Sequence, residues 1–232
     1  TQHPYEKITL ARFNLAWLTT PPPAPPEPVQ LEPKSELQTV YRPAGLPSES
    51  GWRYNGTQVA EEQAVEVLSG EGIRIRTGRH QRVRWVGDTK AIFDATRGAA
   101  HTAEITMKVT RSTSGNRGID FETYVPGVGR AFITVTTDSV YWHGAGFDRI
   151  ADELNNATAV HTYRMAISEN GLVQIFRDGQ RLAVRSASGA PDRMAGTEGA
   201  YIQWGEGAGA SEADAVVTQV AYDANGAYRP SR

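Results

Sequence analysis

Apolar and polar residues alternate along three consecutive segments between His161 and Ser186. Large apolar residues occupy every second position from Tyr163 to Ile167, which is the period of a strand with one buried face. Glu169-Asn170-Gly171 and Asp178-Gly179 separate the segments, and these residue types tolerate the positive φ of tight hairpin turns. The pattern predicts a three-stranded β-meander whose apolar face packs on a second layer.

Similar short segments follow one another from Gly51 to Tyr222, and no long segment shows the 3.6-residue period of a helix. The clearest are Ala103–Val109 and Ile119–Val125, which we expect to pair as a hairpin with its tip near Gly115. Regularly spaced strands of this kind predict an all-β fold, a two-sheet antiparallel jelly-roll sandwich.

The first 47 residues differ from the remainder. Residues 8–18 alternate like a strand, and residues 19–33 have the proline-rich composition of a polyproline-II segment. Such a segment fits both a spacer between domains and a strip packed along a domain surface. We therefore predict an N-terminal strand and Pro-rich arm over residues 1–47, followed by the β-sandwich over residues 48–232.

Composition excludes several classes of function. The chain carries 24 Lys and Arg against 26 Asp and Glu, so it lacks the positive surplus expected of a nucleic-acid-binding protein. It has no cysteine, which excludes disulfides and Cys-ligated metals. No apolar run is long enough to predict a membrane span, and no signal peptide is apparent.

Five segments together resemble the concanavalin A-like lectin/glucanase superfamily, especially its bacterial laminin G-like members. They are Gly51-Trp52, AEIT at 103–106, HTYRMAISENGLVQIFRDGQ at 161–180, YIQWGEG at 201–207 and VAYDANGAYRP at 220–230. The resemblance spans roughly residues 48–230. It implies a jelly roll of one convex and one concave sheet, in which the concave sheet or its rim loops bind glycans, often with calcium nearby. Members of the superfamily include lectin modules, glycoside hydrolases and polysaccharide lyases.

The chain departs from the catalytic patterns of this superfamily. Its hydrolases commonly carry an ExDxxE-type strand, whereas residues 119–124 (IDFETY) lack a third carboxylate in register. The QIH strand of the jelly-roll lyases is absent as well. We therefore predict an exported, extracellular or periplasmic module that recognises a glycan or polysaccharide. The alternatives are a glycoside hydrolase or polysaccharide lyase, and an assembly protein that binds a protein partner through residues 1–47.

Two carboxylates stand out in the predicted hairpin. There Glu104 and Glu122 are diagonal neighbours on the polar face, with Tyr124 beside them. Two carboxylates about 5–8 Å apart have the spacing that glycosidases use. An ordinary solvated sheet face with interleaved charges explains the same pattern without a site.

Aromatic and basic residues complete the candidate ligand site. Tyr141, Trp142 and His143 end a strand, where rings can stack on sugars, although Trp142 can equally belong to the core. Arg164 can clamp the carboxylate of an acidic sugar or form a structural ion pair. The predicted ligand-binding residues are Glu104, Glu122, Tyr124, Tyr141, Trp142, His143 and Arg164; for an enzyme, the catalytic candidates are Glu104, Glu122, Tyr124 and His143.

A cofactor is either absent or calcium. Asp148 and Asp152 begin an oxygen-rich stretch that continues to Asn155 and Asn156. Calcium takes several such oxygen ligands, although the spacing is not that of an EF-hand.

Overall fold

The structure is a computed structural model that describes residues 27–88, 100–113, 115–144, 146–192, 195–196, 199–209 and 212–231. Two antiparallel sheets form a sandwich, as the alternation predicts. In spatial order, the seven-stranded sheet contains β11 (Phe147–Ala151), β10 (Val140–His143), β9 (Gly129–Val135), β8 (Ile119–Val125), β15 (Tyr201–Glu206), β6 (Val83–Asp88) and β3 (Arg53–Tyr54).

The eight-stranded sheet packs against it. Its strands are β14 (Gln180–Ser186), β13 (Leu172–Arg177), β12 (His161–Ile167), β7 (His101–Ser112), β16 (Ala213–Asp223), β5 (Gly72–Thr77) and β4 (Val65–Leu68), with β2 (Thr39–Tyr41) paired to β16. A parallel pair joins β1 (Glu32–Lys34) to β17 (Tyr228–Pro230). The described helical segments are a 3-10 turn at Pro47–Ser50 and the α-helix α1 at Glu61–Ala64. None of the described helices has the length and apolar character needed to cross a membrane.

The predicted meander is confirmed, because β12 pairs with β13 and β13 pairs with β14. Its second turn places Asp178 and Gly179 at φ values of 48° and 83°, the left-handed region that such turns require. In β12 and β13 every second residue points between the two sheets, where the core lies, whereas a bulge in the pairing of β13 with β14 interrupts the alternation in β14. At one end of this core the Trp204 ring stacks on Trp85 with a centroid distance of 4.5 Å.

The predicted hairpin between Ala103–Val109 and Ile119–Val125 is wrong. Strand β7 pairs with β12 and β16 in one sheet, whereas β8 pairs with β9 and β15 in the other. Both strands direct one apolar face into the same core, so their alternation looks the same whether they are neighbours or face each other. As a consequence, Glu104 and Glu122 lie on the outer faces of opposite sheets.

The described part of the predicted arm packs on the eight-stranded sheet of its own chain. Leu31 packs in one cluster with Phe176, and Gln174 Nε2 donates to the Val29 carbonyl over 2.5 Å. Strand β1 pairs with β17, and β2 adds a strand to the eight-stranded sheet. The strand predicted within residues 8–18 lies outside the described residues. Binding of a neighbouring chain by residues 1–47 stays a prediction.

Candidate functional site

The outer face of the seven-stranded sheet carries a buried set of polar side chains. In β8, Ile119 and Phe121 point into the core, so the alternate residues Asp120 and Glu122 point outward. Outward-facing side chains of the neighbouring strands join them. We call this set the polar face, and each member is at most 9% exposed: Arg84, Asp120, Glu122, Thr134, His143 and Gln203.

Two described parts of the connection between β14 and β15, residues 187–192 and 195–196, cover one half of the polar face. Ser188 bridges the β9 backbone at Arg130, and the Asp192 carboxylate accepts a hydrogen bond from Arg84 Nη1 over 2.9 Å. Further along, Ala195 packs in a small apolar cluster with Tyr201 and Tyr124. The other half remains an open cleft of about 240 Å³.

Glu122 lies in the covered half. The Tyr201 hydroxyl donates to Glu122 Oε1, and Arg130 Nε lies 3.9 Å from the same oxygen. Burial raises the pKa of Glu122 from 4.5 to about 7, against the opposing effects of Arg130 and Tyr201. Burial, together with this carboxylate, also raises the pKa of Tyr201. Glu122 can therefore exchange a proton near neutral pH while Tyr201 keeps its own.

A hydrogen-bonded chain of three side chains lines the open cleft. The Thr134 hydroxyl lies 2.6 Å from Asp120 Oδ1 and 2.6 Å from His143 Nε2. Burial raises the pKa of Asp120, although Arg84 Nη2 lies 3.3 Å from its other oxygen. This chain can offer donors and acceptors to ligand hydroxyl groups through small shifts of one proton.

His143 is the neutral member of this hydrogen-bonded set. Burial, followed by the charges of Arg130, Arg84 and Arg117, lowers its pKa to about 3. Its ring stacks on Phe132 at a centroid distance of 3.7 Å and meets the edge of Phe147 at 4.3 Å. A neutral imidazole donates from one nitrogen and accepts at the other, so His143 contributes polarity to the cleft without charge.

Gly207 makes room for Arg84 at the cleft wall. A Cβ atom built on Gly207 would overlap the guanidinium of Arg84. Because that guanidinium holds both Asp120 and Asp192, a side chain at position 207 would disturb the whole cleft wall.

The predicted ligand-binding residues are divided among three locations. Glu122, Tyr124, Tyr141 and His143 lie on outward positions of the seven-stranded sheet. Trp142 is 2% exposed and belongs to the core, which corrects its assignment as a sugar-stacking ring. The strand alternates, so if Tyr141 and His143 face outward the residue between them must face inward.

Glu104 and Arg164 lie on the opposite outer face, beneath the arm. Arg164 Nε donates to Glu104 Oε2 over 2.7 Å, and Arg164 Nη1 donates to the Lys34 carbonyl over 2.7 Å. Both side chains are buried by the arm that packs over them. This corrects their assignment to one site with Glu122: they form an internal ion pair that ties the arm to the sheet.

Calcium binding by Asp148 and Asp152 stays a prediction. Asp148 and Asp152 are exposed, and Asp152 lies 3.5 Å from Arg149. Asn156 is buried: its Nδ2 donates to the Thr136 carbonyl, and its Oδ1 accepts a hydrogen bond from the Tyr163 hydroxyl. Across the described ranges, no group of three or more His, Asp or Glu residues is arranged to hold a metal ion.

The sequence interpretation missed several residues that line the cleft. Asp120 could have been predicted from the sequence, because it lies two positions before Glu122 and such positions of a strand share a face. Arg84, Thr134, Arg117 and Phe147 come from separate segments, and only the sheet pairing brings them together.

Comparison with known proteins yields structural similarity without sequence similarity. No protein-family model matches the chain, and no curated protein matches it. Among solved structures, the chain is similar to a conserved carbohydrate esterase of the Shiga toxin-encoding bacteriophage phi24B, with a TM-score of 0.56 and 12% identity, covering 79% of this chain and 95% of that chain.

Two further solved structures are similar at a TM-score of 0.47. One is an alginate lyase of Pseudomonas aeruginosa, with 12% identity over 75% of this chain and 98% of that chain. The other is the Crh5 transglycosylase, with 13% identity over 86% of this chain and 87% of that chain. At such identities the likeness to the phage protein shows a shared fold.

Proposed function

We propose that the protein recognises a glycan in the open cleft of the polar face, as an exported carbohydrate-binding module of the concanavalin A-like, laminin G-like kind. The observation that carries this proposal is a concentration of unsatisfied buried polar atoms on one sheet face. Buried side-chain donors and acceptors are nearly always paired, so a local excess of unpaired ones needs a reason.

Eight buried side-chain atoms of the described residues have no hydrogen-bond partner, and four of them lie on the polar face or beside it. These four are Arg84 Nε, Glu122 Oε2, Arg130 Nε and Gln203 Oε1. Arg84 lines the open cleft, whereas the other three residues lie next to it, outside the cleft lining. A purely structural sheet face would be either paired or fully solvated. Ligand hydroxyl groups and bridging waters are the partners that such atoms take in a polar cleft.

The cleft also offers an apolar platform. Phe147 is 51% exposed beside His143, and the exposed face of an aromatic ring can stack on the apolar side of a sugar ring. The phage protein of the same fold is a carbohydrate esterase by name, which supports a carbohydrate ligand.

Gly207→Ala tests the location of the site. The added methyl group is expected to displace the Arg84 guanidinium from Asp120 and Asp192 and to weaken glycan binding about tenfold or more. Binding is measured first on a glycan array and then by titration calorimetry with the best ligand. Gly189→Ala is the matched control, because a Cβ there meets no atom within 4 Å and the φ angle is ordinary. Equal affinity in the two variants would contradict the proposed site.

A glycoside hydrolase or polysaccharide lyase is the second candidate. It is favoured by Asp120 and Glu122, two buried carboxylates with raised pKa values on alternate positions of one strand. Alternate residues of a strand lie on one face with Cα atoms about 6.4–6.8 Å apart, so the two carboxyl groups share one face of the sheet, as the carboxyl pair of a glycosidase must share one site.

Prolonged incubation with the bound glycan separates the two functions. An enzyme would release new reducing ends or unsaturated products from the wild type, and Glu122→Gln would retain binding while losing that release. Binding without product by both proteins is the result that we expect of a recognition module.

A further inference from the structure

Positive charge is concentrated around the open cleft. Three arginines line it, Arg82, Arg84 and Arg117, whereas Asp120 is the acidic side chain that lines it among the described residues. The chain as a whole has a net charge of −2, so the overall composition does not account for this surplus.

Two carboxylates already neutralise one of these cations. Arg84 pairs with Asp120 and with Asp192, at 3.3 Å and 2.9 Å. Arg84 has two carboxylates against its one positive charge, so this group has no positive charge left for a ligand. A cation that meets an anionic ligand in the cleft must therefore be another side chain, and Arg117 is the candidate.

Arg117 is the cation best placed to meet a ligand. It lies just before β8 and is partly buried, and its guanidinium forms no hydrogen bond or ion pair with the residues that the structure describes. Its charge acts on His143, together with those of Arg130 and Arg84. A partly buried guanidinium with no counter-ion among the described residues has lost some hydration, and a ligand anion can supply the missing hydrogen bonds.

We infer that the glycan bound in this cleft is anionic and that Arg117 holds the carboxylate of one sugar residue while the ring lies against Phe147. The inference rests on the proposed glycan recognition in the same cleft. The planar guanidinium fork matches a carboxylate through two parallel hydrogen bonds, and Arg is the side chain best suited to that contact.

The size of the cleft limits the ligand further. At about 240 Å³ it is smaller than the sites of about 300–1,000 Å³ that enclose a drug-sized molecule. It therefore accepts one sugar residue or a chain end, and the remainder of the glycan lies outside.

The experiment compares acidic sugars with matched neutral forms. Calorimetry measures the affinity of the wild type for an oligogalacturonate, its methyl ester, sialyllactose and lactose. We expect at least one acid to bind about tenfold more tightly than its neutral counterpart. Arg117→Gln is expected to remove that advantage, and added salt is expected to reduce it. Arg76→Gln is the charge-matched control on the opposite face of the sandwich, where Arg76 pairs with exposed Glu66.

The outcomes separate this inference from the proposed function. If neutral glycans bind, Gly207→Ala weakens them and acids have no advantage, recognition stands and the inference fails. If the acid advantage survives Arg117→Gln, the inference fails at that residue. If no glycan of either kind binds on a broad array, the proposed function fails and the inference fails with it. A sulfated sugar that binds as tightly as the acids, and equally well to Arg117→Gln, also overturns the role of Arg117.

Discussion

Glu104→Gln is expected to lower the free energy of unfolding by about 3–5 kcal/mol, although it changes one atom of one side chain. The reason is Arg164, which is 2% exposed and is neutralised by Glu104. With the carboxylate gone, the guanidinium stays buried without a counter-ion. Urea unfolding of the wild type and the variant, followed by tryptophan fluorescence, measures the difference.

A double variant shows whether the loss of stability comes from the unpaired charge of Arg164. Glu104→Met combined with Arg164→Met removes both charges and is expected to destabilise less than Glu104→Gln alone. Some cost remains, because the Lys34 carbonyl loses its donor and Gln219 loses an acceptor. If the double variant were the least stable protein, packing and not charge would govern this site.

Glu66→Gln is the matched control on the same sheet. Its partner Arg76 is 3.2 Å away, and both side chains are about half exposed. Solvent screens such a pair, so the expected change is about 1 kcal/mol or less. If Glu104→Gln lowered the free energy of unfolding as little as Glu66→Gln and also altered glycan binding, Glu104 would be a ligand-binding residue.

The strands could be predicted from the sequence because alternation is a local property. The meander from His161 to Ser186 carries its own turns, so both its strands and their pairing were predictable. The pairing of β7 with β12 and β16 was not predictable, because it depends on residues more than 50 positions away. A local pattern reports which side of a strand is apolar and leaves open which strand lies beside it.

The polar face shows the same limit in a functional setting. Period two placed Glu122 and Tyr124 outward, but it could not distinguish a solvated face from a covered one. The cover comes from the connection after β14, where Ser188 and Asp192 follow no apolar pattern. Burial by this connection raises the pKa of Glu122, so no pattern in the sequence predicted that raised pKa.

The raised pKa of Glu122 predicts an unusual dependence of stability on pH. Folded Glu122 keeps its proton up to about pH 7, whereas the unfolded chain releases it near the ordinary pKa of 4.5. The stability that this proton provides is fully present below about pH 4.5 and is lost as the pH rises through 7. Within that window, the free energy of unfolding is expected to fall by about 1.4 kcal/mol per pH unit from this group.

His143 acts in the opposite direction. Its folded pKa of about 3 lies below its ordinary value of 6.5, so its contribution is present above pH 6.5 and is lost as the pH falls toward 3. Between pH 4.5 and 6.5 the effects of Glu122 and His143 offset each other. Asp120, whose pKa burial also raises, adds to the effect of Glu122.

Glu122→Gln isolates one of these opposing effects. Relative to the wild type, the variant is expected to gain stability as the pH rises from 4.5 to 7, by about 1.4 kcal/mol per pH unit. His143→Asn is expected to show the reverse trend between pH 3 and 6.5. Urea midpoints at half-unit pH intervals measure both. Parallel profiles for Glu122→Gln and the wild type would mean that Glu122 is ionised at pH 5 in the folded protein. A carboxylate charged at that pH beneath the connection would need a cation closer than Arg130 at 3.9 Å, so the buried half of the polar face would have to be arranged differently.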